Sequence, residues 1–328
     1  MPVLVLFPHS RCNCRCVMCD IWKANENMQE LSSDDLAHHL VSFRRLGVKW
    51  VTFSGGEALM HSNLWKLAEM LKAEGIKITL LSTGLLLKRN AENIVRWCDE
   101  VIVSLDGSQP VHDTIRNIPH AYERLREGVS ALRELRPDFS IGARCVLQRL
   151  NFRDLPNIVK AAHELGLSRV SFLSADVTSE AFNRFQPWED ERVSAIALSP
   201  NEVNEFKAII EETIRDFERD FANHFIEESP DKLRRLGQYY GAINNRTVSF
   251  PETSCNAPWV SAVVEADGGV RPCFFHPVIG NIHEKPLLEV LNSPEAIQFR
   301  QNLDVKTNPV CQKCVCTLHI GIRKDILA

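Results

Sequence analysis

The feature that most constrains the fold is the alternation of short apolar segments with amphipathic segments over residues 2–174. Six short runs rich in Val, Ile, Leu and Phe have the length of buried β-strands, and they read PVLVLF (2–7), WVTF (50–53), IKITLLS (76–82), EVIVSL (100–105), SIGARCVL (140–147) and RVSFLS (169–174). The segments between them repeat apolar residues at helical spacing, as in NLWKLAEMLKAEG and LPNIVKAAHELG. This alternation predicts a parallel sheet with helical crossover connections.

The six predicted strand–helix units leave two α/β architectures open. One is an open, doubly wound sheet, and the other is an incomplete barrel of six βα units that resembles part of a TIM barrel. In both, ligands bind at the carboxyl ends of the strands. The first helix has clear end signals, with Ser33 as the predicted N-cap and Gly47 as the residue that ends it.

The pattern changes after Ser174. The next residues lack periodicity, and a helix is then predicted over residues 200–223, followed by a mixed polar segment to Thr253. Two apolar runs, 260–265 and 270–275, flank the sequence Ala-Asp-Gly-Gly. Turn residues between two apolar runs predict a β-hairpin.

Two short helices are predicted near the end of the chain, Leu287–Leu291 and 293–302. No further repeat and no low-complexity segment is present. We therefore predict three regions: an α/β domain over residues 1–185, a helical linker over 186–250 and a small α+β domain over 251–328.

Charge and cysteine content narrow the class of protein. With 38 Lys and Arg against 42 Asp and Glu, the net charge is −4, and no long basic run gives the electrostatic footprint of a nucleic-acid-binding protein. The first apolar run, residues 3–7, is too short for a signal peptide, and no run is long enough to cross a membrane. We expect a reducing, cytoplasmic location, where the 11 cysteines serve as metal ligands or core residues more often than as disulfides.

Four of the cysteines lie in the N-terminal stretch RCNCRCVMCD (11–20). Cys12, Cys16 and Cys19 have the spacing CxxxCxxC directly after the first predicted strand. Three thiolates from one tight loop can hold three irons of a [4Fe–4S] cluster and leave the fourth iron open, since such clusters normally take four thiolates. A zinc site is the alternative, although structural zinc normally uses paired knuckles. Cys14 is the additional thiol, and we expect it to point out of the loop.

With these cysteines the sequence resembles the radical S-adenosylmethionine (SAM) superfamily, whose signature is CxxxCxΦC. The resemblance implies that Cys12, Cys16 and Cys19 ligate the catalytic cluster, and that Met18, at the Φ position, packs near the adenine of SAM. The amino and carboxylate groups of SAM would chelate the open iron. The family's GGE motif is matched after the second strand, and a stretch similar to its SLDG…HDxxR motif is matched at residues 104–116.

The same resemblance implies further contacts with SAM. Gly55 and Gly56 would let the backbone approach the ligand, and Glu57 would accept hydrogen bonds from its ammonium group. Ser104 and Arg144 are expected near the carboxylate or the ribose. The complete implied set is Met18, Ser54, Gly55, Gly56, Glu57, Ser82, Ser104, Asp106 and Arg144. The resemblance covers most of residues 3–175, for which we expect the partial (β/α)6 TIM-like barrel.

A second set of cysteines lies near the C-terminus and consists of Cys255, Cys273, Cys311 and Cys314. Four thiolates make a closed site, the usual complement of a [4Fe–4S] cluster, and a four-cysteine zinc ribbon is the alternative. The arrangement resembles the twitch domain, a shortened SPASM domain, and implies one auxiliary cluster. In spacing it is similar to enzymes of the 2-deoxy-scyllo-inosamine dehydrogenase type.

The resemblance implies an enzyme that cleaves SAM reductively to a 5′-deoxyadenosyl radical, which removes hydrogen from a small polar substrate such as a sugar, an aminocyclitol or a nucleoside. Dehydrogenation is expected, because a closed auxiliary cluster suits an electron acceptor. The alternatives are a radical epimerase, a decarboxylase, a ribosomal-peptide maturase and, from another class, a non-catalytic iron–sulfur or zinc protein. A flavodoxin- or ferredoxin-type protein is the expected reductant, and neither nucleic acid nor a membrane is an expected partner.

Three residues are predicted to handle hydrogen or protons. Arg144 and His276 are candidates for proton handling, although arginine more often anchors a carboxylate or a hydroxyl. Cys316 lies close to the last cysteine pair in sequence and would donate hydrogen in an epimerase, or else it is an alternate ligand or an unused thiol. Cys98 and Cys145 lie in apolar patterns and are predicted core residues.

Overall fold

A single sheet of nine strands forms the framework of this computed structural model, which describes residues 1–184, 186–245 and 247–321. The strands, in chain order, are β1 (Val3–Leu6), β2 (Trp50–Phe53), β3 (Lys77–Ser82), β4 (Glu100–Ser104), β5 (Ser140–Leu147), β6 (Arg169–Ser174), β7 (Ser261–Val264), β8 (Gly269–Arg271) and β9 (Gly280–Asn281). Their order across the sheet is β6-β5-β4-β3-β2-β1-β7-β8-β9. The six strands predicted for the α/β domain are therefore neighbours in one sheet.

Strands β1 to β6 pair in parallel, as the strand–helix alternation predicts, with Val3 opposite Trp50 and Ser104 opposite Arg144. β7 continues the parallel arrangement on the other edge of β1, where Ser261 lies opposite Val3. β7 and β8 form the predicted antiparallel hairpin. Its pairing with β1 is not predictable from the local pattern, and it covers an edge that would otherwise expose unpaired backbone groups.

Helices connect the parallel strands and continue into the C-terminal region. In chain order they are α1 (Ser33–Leu46), α2 (Leu64–Ala73), α3 (Leu87–Trp97), α4 (Gln109–Arg116), α5 (Ala121–Leu135), α6 (Leu155–Glu164), α7 (Asp190–Ile196), α8 (Pro200–Asp216), α9 (Glu218–Ala222), α10 (Pro230–Asn244), α11 (Ala257–Val260), α12 (Leu287–Leu291), α13 (Pro294–Asn302) and α14 (Pro309–Gln312). Within the described residues, none of these helices combines the length and the apolar character needed to cross a bilayer.

The start of α1 differs by one residue from the prediction. Its N-cap is Ser32 rather than Ser33, because Ser32 lies three residues before Asp35 and the two residues exchange the hydrogen bonds of a capping box. Gly47 ends the helix as predicted, in the left-handed conformation with a φ of 68°.

Helix α10 occupies part of the segment for which the sequence predicts only a mixed polar stretch. Leu233, Leu236 and Tyr240 are buried along one side of it. Their spacing of three and four residues is helical, but the charged residues between them obscure it. The Tyr240 hydroxyl donates to the Leu147 carbonyl (2.5 Å) and accepts from the Ala175 amide (2.9 Å), which fixes α10 beside the ends of β5 and β6.

The two faces of the parallel strands have different surroundings. Residues such as Leu4 and Ile78 are fully buried on the face that the helices cover. On the inner face, near the start of the strands, Glu100 accepts hydrogen bonds from Thr79 Oγ1 (2.7 Å) and Arg169 Nη2 (2.6 Å). These polar contacts close the amino-terminal end of the inner face, so a ligand site is expected at the carboxyl end.

Candidate functional site

The three cysteines of the CxxxCxxC spacing lie together in the loop after β1. Cys16 is buried in a small apolar cluster with Cys14 and Met18, and the partly exposed Cys12 and Cys19 pack against the same cluster. The expectation that Cys14 points out of the loop is wrong, since its side chain is 1% exposed.

Two side chains from the short 3₁₀ helix after this loop hold the cysteines in place. Asn25 and Cys12 form a reciprocal pair, in which Oδ1 accepts from the Cys12 amide and Nδ2 donates to the Cys12 carbonyl, both at 2.9 Å. Trp22 donates its indole N–H to the Cys19 carbonyl (2.9 Å). These two contacts are not predictable from the sequence, because the 3₁₀ helix (Ile21–Glu26) has no periodic pattern and buries none of its residues.

The glycines of the GGE motif pack against the cysteine loop. A Cβ atom at Gly56 would lie 2.1 Å from the Arg11 carbonyl oxygen and 3.1 Å from Cys12 Cβ. Gly55 has a φ of 105°, a conformation that favours glycine. The backbone at these glycines therefore packs closely against the cysteine loop. The prediction was that it would pack closely against SAM. The Glu57 amide adds a hydrogen bond to the Arg11 carbonyl (2.9 Å).

The substitution Gly56→Ala should impair the cysteine loop and lower the amount of iron bound per chain. The added methyl group would meet main-chain atoms, which cannot rotate away, and overpacking of this kind costs about 1–3 kcal/mol. Iron analysis after anaerobic reconstitution measures the effect. Gly241→Ala is the matched control, since the nearest atom to its added methyl is 3.9 Å away. Full iron binding by Gly56→Ala would show that this packing is unimportant.

Glu57 is fully buried, and its carboxylate is engaged by protein donors. It accepts from Ser82 Oγ (3.1 Å), from the Thr83 amide (2.7 Å) and Oγ1 (2.6 Å), and from the Leu59 amide (3.2 Å). Burial raises the pKa of this carboxyl, and the hydrogen bonds oppose that rise. Glu57 and Ser82 thus tie the ends of β2 and β3 together, and their direct contact with SAM stays a prediction.

Asp106 is also engaged by the chain. It is fully buried; Oδ1 accepts from the Val146 amide (2.9 Å), and Oδ2 is ion-paired with Arg116. Arg116 in turn places Nη1 3.5 Å from Cys16 Sγ. Asp106 therefore supports the cysteine loop through Arg116, and its contact with SAM stays a prediction.

Other residues of the 104–116 motif also hold the backbone. His112 Nδ1 accepts from the Asp106 amide (3.1 Å), and burial lowers the pKa of His112 to about 3, so that its ring stays neutral. Asp113 accepts from the amides of His120 (3.0 Å) and Tyr122 (2.8 Å) at the start of α5. Residues of this motif therefore hold the backbone segments that pack beneath the cysteine loop.

Ser104 and Arg144 lie opposite each other at the carboxyl half of β4 and β5. Both are half-buried on the inner face of the sheet, as is Ser54 after β2. Arg144 Nε donates to Ser171 Oγ on β6 (3.3 Å). A guanidinium and a hydroxyl on adjacent strands can bind a carboxylate or a ribose hydroxyl, and so these residues stay predicted SAM contacts.

The thiols of the cysteine loop have different electrostatic surroundings. Burial raises the pKa of Cys12 and that of Cys19 to about 12. A hydrogen bond from Cys14 lowers the pKa of Cys16 to about 7, with support from Arg116 and against the effect of burial. Without a cation the first and last thiols keep their protons at neutral pH, so iron binding would displace them.

The C-terminal cysteines come from three segments of the chain and affect one another electrostatically. Cys273 interacts with Cys255 and Cys311, and Cys314 interacts with Cys255 and Cys273. Burial is the main reason why the pKa of Cys273 rises to about 12 and that of Cys311 to about 11. The four thiols are therefore near one another, as a closed cysteine site requires.

Two of the predicted proton or hydrogen handlers lie beside these cysteines. His276 is 4% exposed, its Nε2 lies 3.4 Å from Cys311 Sγ, and its ring packs against Phe299. The ring of His276 thus lies against one of the C-terminal cysteines, and its role as a proton handler stays a prediction. Cys316 is exposed, and its carbonyl accepts from the Cys314 thiol (3.1 Å).

Residues after β6 connect the two cysteine sites. Asp20, which follows the last cysteine of the loop, accepts from Trp188 Nε1 (2.7 Å) and Arg192 Nη2 (2.6 Å). Phe182 packs on Phe274, beside the hairpin cysteine, with 4.7 Å between the ring centroids. This stretch of chain therefore contacts the cysteine loop at one end and the C-terminal cysteines at the other.

A cleft of about 910 Å³ lies near both groups of cysteines, although none of the described residues that line it is a cysteine. Val177, Trp188 and Val193 line it, and they also pack with the apolar cluster that contains Cys16. Gln312 and Lys313, the two residues within the last cysteine pair, line it as well. A bound molecule would thus contact neighbours of both groups of cysteines.

The donor sets of the two groups of cysteines fit iron–sulfur clusters. Thiols are the soft donors that such clusters take, and two buried carboxylates at the loop, Glu57 and Asp106, are engaged with the chain. The close contact at Gly56 sets the path of the loop that carries the first group. Over residues 1–184, 186–245 and 247–321, no three or more His, Cys, Asp or Glu side chains are arranged to hold a single metal ion.

Comparisons with known proteins match the same two parts of the chain. The family described as "Radical SAM superfamily" matches residues 6–162, and SPASM, described as "Iron-sulfur cluster-binding domain", matches residues 255–315. The AdoMet-dependent heme synthase of Methanosarcina barkeri is 24% identical over 88% of this chain and 81% of its own length. The antilisterial bacteriocin subtilosin biosynthesis protein AlbA of Bacillus subtilis is 21% identical over 93% of this chain and 63% of its own length.

Among solved structures, SuiB of Streptococcus suis bound to the precursor peptide SuiA has a TM-score of 0.65 at 16% identity, over 96% of this chain and 71% of that chain. This likeness confirms the predicted α/β fold with its small C-terminal domain. The relatives include heme synthases, a bacteriocin biosynthesis protein and probable GTP 3′,8-cyclases, and the finer resemblance to 2-deoxy-scyllo-inosamine dehydrogenases is not supported.

Proposed function

We propose that this chain, which carries a radical SAM domain followed by a SPASM domain, oxidises a substrate held in the cleft that is lined by neighbours of both groups of cysteines. SAM and [4Fe–4S] clusters, one of them auxiliary, are its cofactors. When bound, the clusters supply one low-potential electron that breaks a C–S bond of SAM, giving methionine and a 5′-deoxyadenosyl radical, and later accept one electron from the substrate.

The loop cysteines Cys12, Cys16 and Cys19 would ligate the first cluster. Asn25 and Arg116 keep two of these residues in place by the contacts at 2.9 and 3.5 Å. Because these contacts already order the loop, less conformational entropy is lost when the cluster binds.

The SAM site would lie at the carboxyl ends of β1 to β5. Ser104 and Arg144 would bind the carboxylate or the ribose, and Met18 would pack near the adenine. Ser54 lies on the same half-buried face. The auxiliary cluster would be held by the second group of thiols: Cys255, Cys273, Cys311 and Cys314.

The cleft is the observation that carries the proposal. A substrate in it would contact Trp188 and Val193, which pack with the proposed radical-forming loop, and Gln312 and Lys313, which lie between two of the proposed electron-accepting cysteines. The substrate would lose a hydrogen atom to the 5′-deoxyadenosyl radical, then a proton to a base and an electron to the auxiliary site. This is a net two-electron oxidation, and it depends on holding one C–H bond close to the radical.

The volume of the cleft indicates how large a substrate it can hold. Ligand pockets span roughly 300–1,000 Å³, so a cleft of about 910 Å³ has room for more than one sugar or aminocyclitol. The small polar substrate expected from the sequence would fill part of it. A peptide segment is the second candidate, favoured by this volume and by the mixture of Trp188 and Phe250 with Glu252 and Lys306 along the lining.

The test is anaerobic reconstitution with iron and sulfide, reduction with dithionite and addition of SAM. We expect 5′-deoxyadenosine, measured by mass spectrometry, in amounts that depend on the reductant. Its absence would favour a non-catalytic iron–sulfur protein. Native mass spectrometry of anaerobically purified protein would identify a bound substrate, and turnover of that molecule in deuterated water would separate the reactions. Deuterium on the product carbon would indicate an epimerase and contradict dehydrogenation.

A further inference from the structure

Arg116 is a buried cation in contact with a cysteine of the loop. It is the last residue of α4, and its side chain is 8% exposed. Its guanidinium forms an ion pair with Asp106, which is fully buried, and extends Nη1 to 3.5 Å from Cys16 Sγ. Because arginine keeps its proton at any ordinary pH, a permanent positive charge lies against the middle cysteine of the three.

Main-chain contacts fix the loop relative to this charge. The Arg15 amide donates to the Arg116 carbonyl (3.3 Å), and the Val17 amide donates to the Ile115 carbonyl (3.1 Å). These two hydrogen bonds lie on either side of Cys16 in the sequence. The position of Cys16 relative to the guanidinium is therefore set by the backbone as well as by the side chains.

We infer that Arg116 is a positioning residue that raises the reduction potential of the cluster bound through Cys16, and that Asp106 holds its guanidinium in place. Hydrogen bonds to the cysteine sulfurs and nearby charge are among the factors that set the potential of an iron–sulfur cluster. Reduction adds one negative charge, and a neighbouring cation stabilises the reduced form more than the oxidised form. Burial strengthens this effect, because a buried charge is screened less than an exposed one.

Asp106 does not cancel the effect. Its oxygens face Arg116 and the Val146 amide, whereas Nη1 of Arg116 faces the sulfur. The nearer charge at Cys16 is therefore the positive one. This inference rests on the proposed role of Cys16 as a ligand, and it is independent of what occupies the cleft.

The test is a redox titration of the reconstituted full-length protein, followed by electron paramagnetic resonance without any substrate. Arg116→Gln should shift the midpoint potential of the loop cluster to a more negative value. Arg15→Gln is the matched control, since it removes the same charge from an exposed residue of the same loop, and it should leave the potential unchanged. The same midpoint potential in Arg116→Gln and in the unaltered protein would overturn the inference.

A second readout separates an effect on potential from an effect on folding. With dithionite, Arg116→Gln should cleave SAM more slowly by about tenfold or more, the size expected for the loss of a hydrogen bond to a charged group. With the stronger reductant titanium(III) citrate, most of the rate should return. A variant that is only misfolded would stay equally slow with both reductants, and that result would overturn the inference.

Two further variants cover the case in which Arg116→Gln does not fold. Asp106→Asn combined with Arg116→Gln leaves no unpaired buried charge and should still lower the potential. Arg116→Lys keeps the positive charge, but a lysine ammonium cannot contact Asp106 and Cys16 at the same time, as a guanidinium can. We therefore expect its midpoint potential to fall by less than that of Arg116→Gln. An unchanged potential in both would overturn the inference. Full iron content in Cys16→Ala would instead show that the ligand assignment has failed.

Discussion

Replacing Cys16 with alanine should abolish the reductive cleavage of SAM. Cys16 is the middle cysteine of the loop, is 7% exposed and has the Arg116 guanidinium 3.5 Å from its sulfur. Its removal would leave a cluster that already has an open iron with only two thiolates. We expect 5′-deoxyadenosine to fall to the level of a protein-free control, and the iron bound per chain to fall by about half, since the auxiliary [4Fe–4S] cluster would remain.

Cys14→Ala and Cys98→Ala are the controls for this result. Cys14 lies beside Cys16 and is equally hidden from solvent, so it tests the assigned spacing directly. Cys98 is a core residue, 4% exposed. Both variants should keep their iron and their activity toward SAM. Loss of the cluster in Cys14→Ala, with retention in Cys16→Ala, would show that the spacing has been assigned wrongly.

Replacing Cys273 with alanine should separate the two clusters. The auxiliary site would lose one of four thiolates and its iron, whereas the cysteine loop would keep its own. We expect SAM cleavage to persist, and oxidation of the substrate to stop, because the electron released from the substrate radical would have no acceptor in the protein. Iron analysis, spectra of the reduced protein and 5′-deoxyadenosine formation measure the three effects.

Cys316→Ala is the matched control in the same part of the chain. Cys316 is exposed and interacts with Cys314 through its carbonyl oxygen, which alanine retains. The variant should keep its full iron content. If it lost the auxiliary iron while Cys273→Ala kept it, Cys316 rather than Cys273 would be the fourth ligand.

The strands and the cofactor class are predictable because each depends on a local pattern. The parallel strands are short apolar runs, and residues such as Val51 and Val101 are fully buried on the side that the helices cover. The loop spacing of Cys12, Cys16 and Cys19 restricts the chemistry to soft metal centres in the same direct way. Neither inference needs any knowledge of which distant segments meet.

Partners far apart in the sequence are the part that could not be predicted. Arg116 and Cys16 are separated by 100 residues, and no local pattern joins them. Asp106 illustrates the consequence, since its position in a motif identifies it as important without showing whether it faces SAM or Arg116. Helix α10 was missed for a different reason, because charged residues fill the gaps between its buried positions.

The pairing of β7 with β1 joins the two matched parts of the chain in one sheet. The edge of β1 that faces β7 would be left bare if the C-terminal part were excised, and β7 would lose its only parallel neighbour among the described strands. A second contact between the two parts is a buried hydrogen bond, which the Leu287 amide donates to His39 Nδ1 (3.2 Å). Removal of the C-terminal part should therefore destabilise β1, the strand that precedes the cysteine loop.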